Sequence, residues 1–204
     1  MLDLKVKSTN IIIIGSWNIA ILIPDWFKEN FPAIVKEKEI PVEVSIGANT
    51  FRFSINDIQI QTSPDKLVLS PLIQDLEHYQ IATQLSIGIT EKLHHTPILA
   101  IGNNISFLLE QENFILFNND AIQEHQNFYK NILKSGQFNS WQIKDSFAFE
   151  DNILNLIYDI NKQKKIMNFN FHYPITNKSK IKKFLTEFSS NIQKSKDILQ
   201  TLVE

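Results

Sequence analysis

Apolar residues recur along this chain in two spacings, and the switches between them predict its elements. Ile11 to Ile14 form an unbroken β-branched run, which predicts a strand buried on both faces. Pro24, then Asp25, Trp26, Phe27 and Phe31, predict a short helix that starts on proline and stops at Pro32. Val42, Val44 and Ile46 alternate as a strand before the turn at Gly47-Ala48-Asn49. Period two continues through Phe51, Phe53 and Ile55, across Asn56-Asp57 to Ile58 and Ile60, and past Ser63-Pro64-Asp65 to Leu67 and Leu69. That is a meander of antiparallel strands. Ser70-Pro71 reads as the N-cap and first position of a helix. Its stripe of Leu72, Leu76, Tyr79, Ala82, Leu85, Ile89 and Leu93 carries it to His94 or His95, where Thr96-Pro97 ends it.

The second half repeats the scheme. A long strand from Ile98 through Ile101, Ile105, Phe107 and Leu109 is expected, with Gly102-Asn103 as its bulge. A helix over Asn119 to Lys134 stops at Gly136. Strands follow at Trp141, Ile143, Phe147 and Phe149, at Leu154, Leu156 and Tyr158, and at Met167, Phe169, Phe171 and Tyr173. A final helix from about Lys178 to Leu202 carries Ile181, Phe184, Leu185, Phe188, Ile192, Leu199 and Leu202 on one face.

These elements define an α+β protein with long helices on one face of an antiparallel curved sheet. It forms a single domain, residues 1–204, built from two possible halves, 1–95 and 96–204, each reading β-α-β-β-β-α. The closest local match is Phe51-Arg52-Phe53 against Phe147-Ala148-Phe149, so the repeat is one of pattern and not of residues. The element order resembles the TATA-box-binding-protein fold, which implies one curved sheet with helices on its convex side. The phenylalanine wedges and basic saddle that family uses on DNA have no counterpart here, so its function is not carried over.

Alternation also predicts what the sheet exposes. If Phe51, Phe53, Ile55, Phe169 and Phe171 face the helices, then Arg52, Ser54, Asn56, Asn168, Asn170 and His172 face away, with Asn104 and Ser106 on another strand. That surface is neutral, rich in amides and nearly free of carboxylates. It can hold a polar ligand, an extended peptide or a partner sheet, or it can be a solvated sheet face.

Composition narrows the function. Hydrophobic content of 43% with 21% charged residues is ordinary globular usage. The absence of cysteine excludes disulfides and thiolate metal sites and fits a cytoplasmic location. A net charge of −2, with Arg52 the single arginine, supplies no bulk drive toward nucleic acid or anionic membrane. The abundance of Ile, Asn and Lys reads as an AT-rich, bacterial genome. Residues 11–23 are too short and too interrupted by Gly15, Ser16 and Asn18 to span a bilayer, and no membrane partner is expected.

No motif brings chemistry. His78, His94, His95 and His125 lie on helix faces or ends without metal-ligand spacing, and no metal or cofactor is expected. Asp145, Glu150, Asp151 and Asp159 could gather at one end of the second meander, though Glu150-Asp151 reads as a polar turn. No glycine-rich phosphate loop or nucleophile elbow occurs. Lys178, Lys180, Lys182 and Lys183 open the last helix against its dipole, which marks an anion-binding candidate. The leading expectation is a non-enzymatic interaction protein, an accessory subunit of a bacterial complex. It would use a sheet face or edge strand to hold a protein partner or a second copy of itself. A small-ligand sensor with a pocket between sheet and helix, and a nucleic-acid accessory factor using the lysine cluster, are the alternatives.

Overall fold

The computed structural model describes residues 4–47, 49–109, 124, 127–128, 140–161 and 165–202. The strands are β1 (Val6–Gly15), β2 (Glu43–Ser45), β3 (Thr50–Ile55), β4 (Ile58–Thr62), β5 (Lys66–Pro71), β6 (Ile98–Leu109), β7 (Ser140–Ala148), β8 (Ile153–Asn161) and β9 (Lys165–Pro174). The helices with described bounds are α1 (Pro24–Asn30), α2 (Leu76–Lys92), α3 (Ile181–Thr186) and α4 (Phe188–Thr201), with a 3-10 turn at Lys178–Lys180 before α3. All nine strands join one antiparallel sheet in the order β2-β3-β4-β5-β1-β6-β9-β8-β7. The fold is α+β, as the alternation predicts.

One face of the sheet is apolar because period-two alternation puts every second side chain there. Ile11, Ile13, Phe53, Ile55, Ile58, Ile60, Leu67, Leu69, Ile101, Ile105, Phe107, Phe169 and Tyr173 are all buried on it. The helices close over this face. Phe27 of α1 meets Phe53 edge-on at 5.3 Å, Tyr79 of α2 meets Phe188 of α4 at 5.8 Å, and Phe184 of α3 stacks on Tyr173 at 4.6 Å. At seven residues α1 is too short to hold itself together. Burying Phe27, worth about 2–3 kcal/mol, fixes it to the sheet.

Four local expectations change. Ile11 and Ile13 are fully buried, but Ile12 is half-exposed and Ile14 is 38% exposed, so β1 is covered on one face and not two. Ser70-Pro71 ends β5, while Asp75 caps α2 by accepting the His78 backbone N–H at 2.9 Å. Gly102-Asn103 runs through β6 in unbroken register; the irregularities lie between Val6 and Ser8 and between Ile14 and Gly15. The last helix divides at Glu187, whose ψ of −6° interrupts the ladder between α3 and α4. Of the helix expected over Asn119 to Lys134, only Glu124, Asn127 and Phe128 are among the described residues, and they are helical; His125 lies outside them. Among the described residues no helix is long and apolar enough to cross a membrane.

Candidate interaction face

None of the described helices packs on the second face of the sheet, and its side chains pair with one another. In-register neighbours Asn10, Asn104, Asn170, Asn155 and Ser146 make one row across β1, β6, β9, β8 and β7. Ser146 Oγ donates to Asn155 Oδ1 at 2.9 Å, and Asn155 Nδ2 donates to Asn170 Oδ1 at 2.9 Å. Asn170 Nδ2 donates to Asn104 Oδ1 at 2.6 Å, and Asn104 Nδ2 donates to Asn10 Oδ1 at 2.7 Å. Every bond in the row points the same way. Asparagine is disfavoured in strands, and cross-strand bonds of about 0.2–1 kcal/mol each offset that cost. A carboxamide has two N–H donors and two lone pairs. Each of the three central asparagines donates one bond and accepts one within the row, half of what its carboxamide can make.

A second row runs beside the first. Ser106 Oγ donates to Asn168 Oδ1 at 2.6 Å, Asn168 Nδ2 donates to Asp159 Oδ2 at 2.7 Å, and Gln142 Nε2 donates to Asp159 Oδ1 at 2.5 Å. On the other side, cross-strand pairing aligns Glu43, Arg52, Gln61, Val68, Ile12, Gly102, His172, Ile153 and Ala148 over all nine strands. Arg52 reaches Glu43 at 3.4 Å, and Ser54 stands opposite Gln59.

Of the residues expected on this face, Arg52, Ser54, Asn104, Asn168, Asn170 and His172 share it. Asn56 does not. It turns the β3–β4 hairpin at φ +44°, donates from Nδ2 to the Ile34 carbonyl at 2.6 Å, and donates its backbone N–H to Glu37 at 2.6 Å. Burial pushes the Glu37 carboxyl up, but the backbone N–H groups of Asn56, Glu37 and Lys36 outweigh it and hold the carboxyl below its usual range. Asn10, Asn155 and Ser146 belong to the row but were not among the expected residues. Their alternation with apolar neighbours is a weak signal without the strand order.

The four lysines find partners within the chain. Lys180 and Lys183 both reach Asp151, at 2.6 and 2.9 Å, and Lys182 reaches Glu91 at 2.9 Å. Lys178 donates to the His94 carbonyl at 3.4 Å, at the rim of a cleft of about 210 Å³ lined also by Thr90, Thr96 and Ser179. Hydrogen bonds from Lys180 and Lys183 hold the Asp151 carboxyl below its ordinary value, and Asp151 in turn raises Lys183. The chain thus supplies its own anions where the helix dipole disfavours the cations.

Cross-strand pairing sets Asp145 opposite Leu156 on the helix side of the sheet and Asp159 opposite Gln142 on the other. His78 Nδ1 lies 2.6 Å from Asp75, and the His94 and His95 rings lie 3.8 Å apart, tilted by 47°. Among the described residues, no three His, Asp or Glu side chains could hold a metal ion. Between sheet and α2 the space is filled by Tyr79, Ala82, Leu85 and Ile89. A scan against protein-family models finds no match, and a search of the curated proteins finds no significant match.

Proposed function

We propose that this chain is a non-enzymatic interaction protein, an accessory subunit of a bacterial complex, that holds a protein surface on the open face of its sheet. The observation that carries this reading is the row from Ser146 to Asn10. Its side chains are fixed by one another before any partner arrives, so little side-chain entropy remains to be lost on binding. Charge is sparse at the centre of this face, as at the centre of protein interfaces. The lysine cluster gives a nucleic-acid reading less support, because three of its four ammonium groups meet carboxylates.

The strand order supports a further part of the proposal, that the chain is two related halves. β1 and β6, the first strand of each half, pair at the centre; the next strand of each half, β2 or β7, lies at an edge, and the later strands run inward to β5 and β9 beside the first. That arrangement is compatible with the TATA-box-binding-protein-like topology and would put one continuous face at the disposal of a partner. The test is co-expression with the products of neighbouring genes, followed by size exclusion. The wild type should co-elute with one of them, and Asn104→Lys with Asn170→Lys should abolish this, while Gln84→Lys on the exposed side of α2 leaves it intact. A complex indifferent to the face variants contradicts the proposal.

A further inference from the structure

Resting on that interaction reading, we infer that the occupant of the open face is a second copy of this chain, docked sheet against sheet. Three observations point there. The first is charge. Among the described in-register strand positions, the face presents two carboxylates, Glu43 and Asp159, and three cations, Arg52, Lys66 and Lys144. Glu43 and Arg52 pair with each other, and Asp159 accepts two side-chain hydrogen bonds. A strongly charged partner finds no complement there, whereas a copy of the same face meets little repulsion.

The second is area. Nine strands of three to twelve residues, about 4.8 Å apart and rising about 3.4 Å per residue, give a face on the order of 1,000 Å². Standard stable interfaces bury about 800 Å² per partner. A smaller ligand would leave most of the row uncovered; a second sheet covers it.

The third is Gly102. It stands mid-strand in β6, one strand from the middle of the sheet, between Ile12 and His172. Glycine there weakens a strand, and no contact among the described residues requires it. A Cβ would lie 3.5 Å from Asn170 Nδ2 and 3.9 Å from Ile12 Cβ, both ordinary contacts, and the φ of Gly102 is not positive. Gly102 is buried beneath its neighbours on this face, a hollow of the kind that lets another backbone approach closely. In a two-fold interface the same patch meets itself, so a glycine near the axis lowers both surfaces at once.

The experiment is solution mass by sedimentation equilibrium up to about 100 µM, where a dimer of micromolar affinity is assembled. The wild type should approach twice the 23.7 kDa chain mass. Gly102→Gln and, independently, Ile12→Lys should sediment as folded monomers with cooperative thermal unfolding, and Gln84→Lys should remain dimeric. A monomeric wild type overturns the second-copy inference, as does a dimer that survives both face variants. If a heteromeric complex with a neighbouring gene product is nonetheless lost in those variants, the broader interaction reading stands without this inference.

Discussion

At the residue scale, the most exposed weakness of the fold is inside it. Asn103 is 0% exposed on the helix side of β6, paired with Ile11 and Phe171, and neither its Nδ2 nor its Oδ1 meets a hydrogen-bond partner among the described residues. An unmet buried amide costs about 1–3 kcal/mol. Asn103→Leu should therefore raise Tm by about 2–6 °C in a thermal melt, and a fall in Tm would contradict the account. Nearby, burial raises the Tyr173 hydroxyl pKa, while Tyr173 donates to Glu187 at 2.8 Å and accepts from Asn191 at 2.7 Å. Asp151 makes a different prediction. Its folded-state pKa is depressed from 3.8, chiefly by Lys180, so its contribution is complete above that value and is lost as pH falls through the lower one. The stability gap between wild type and Asp151→Asn should be widest near neutral pH and close on acidification. A gap that does not change with pH would count against the ion pairs.

At the element scale, the inner strands were legible because one face of each is buried, which forces period two on Phe53, Ile55, Ile58 and Ile60. Helix α2 was legible for the same reason at period 3.6, but its start was not. Ser70-Pro71 satisfies the cap rules and yet pairs with Gln59 and Ile58 in the sheet, because strand pairing outweighs a local capping preference. The open face was half legible. Which residues point outward follows from alternation, but which of them meet does not. Asn10 and Asn104 are 94 positions apart, and Asn104 and Asn170 are 66 apart. Only the strand order makes them neighbours. Close packing at the ends of elements was hidden as well. A Cβ on Gly15 would lie 2.5 Å from the Pro97 carbonyl oxygen, whereas one on Gly47 meets nothing within 4 Å. Chemical denaturation should show Gly15→Ala losing more than about 2 kcal/mol and Gly47→Ala staying within about 0.5 kcal/mol; similar losses at both would remove the steric explanation.

At the scale of the whole molecule, burial and polarity are divided by the sheet. Helices α1 to α4 and the apolar face of the strands form one core. The opposite face carries hydrogen-bonded amides over five strands and no described helix. The proposed interaction gives Gly102 and the strand asparagines of this face a use. Those choices cost strand propensity and become useful when something covers the face. The central claim is therefore that this face is covered in the working state of the protein, and the absence of native cysteine makes that measurable. Single-cysteine variants Ser106→Cys, on β6, and Gln84→Cys, on α2, can be titrated with a membrane-permeant thiol reagent in the cell and again in dilute purified protein. The account predicts that labelling at position 106 is slowed at least about tenfold in the cell relative to the dilute protein, the mark of a site buried in an interface core. Labelling at position 84 should be unchanged. Equal relative rates at the two positions, or protection at position 84 alone, would contradict it.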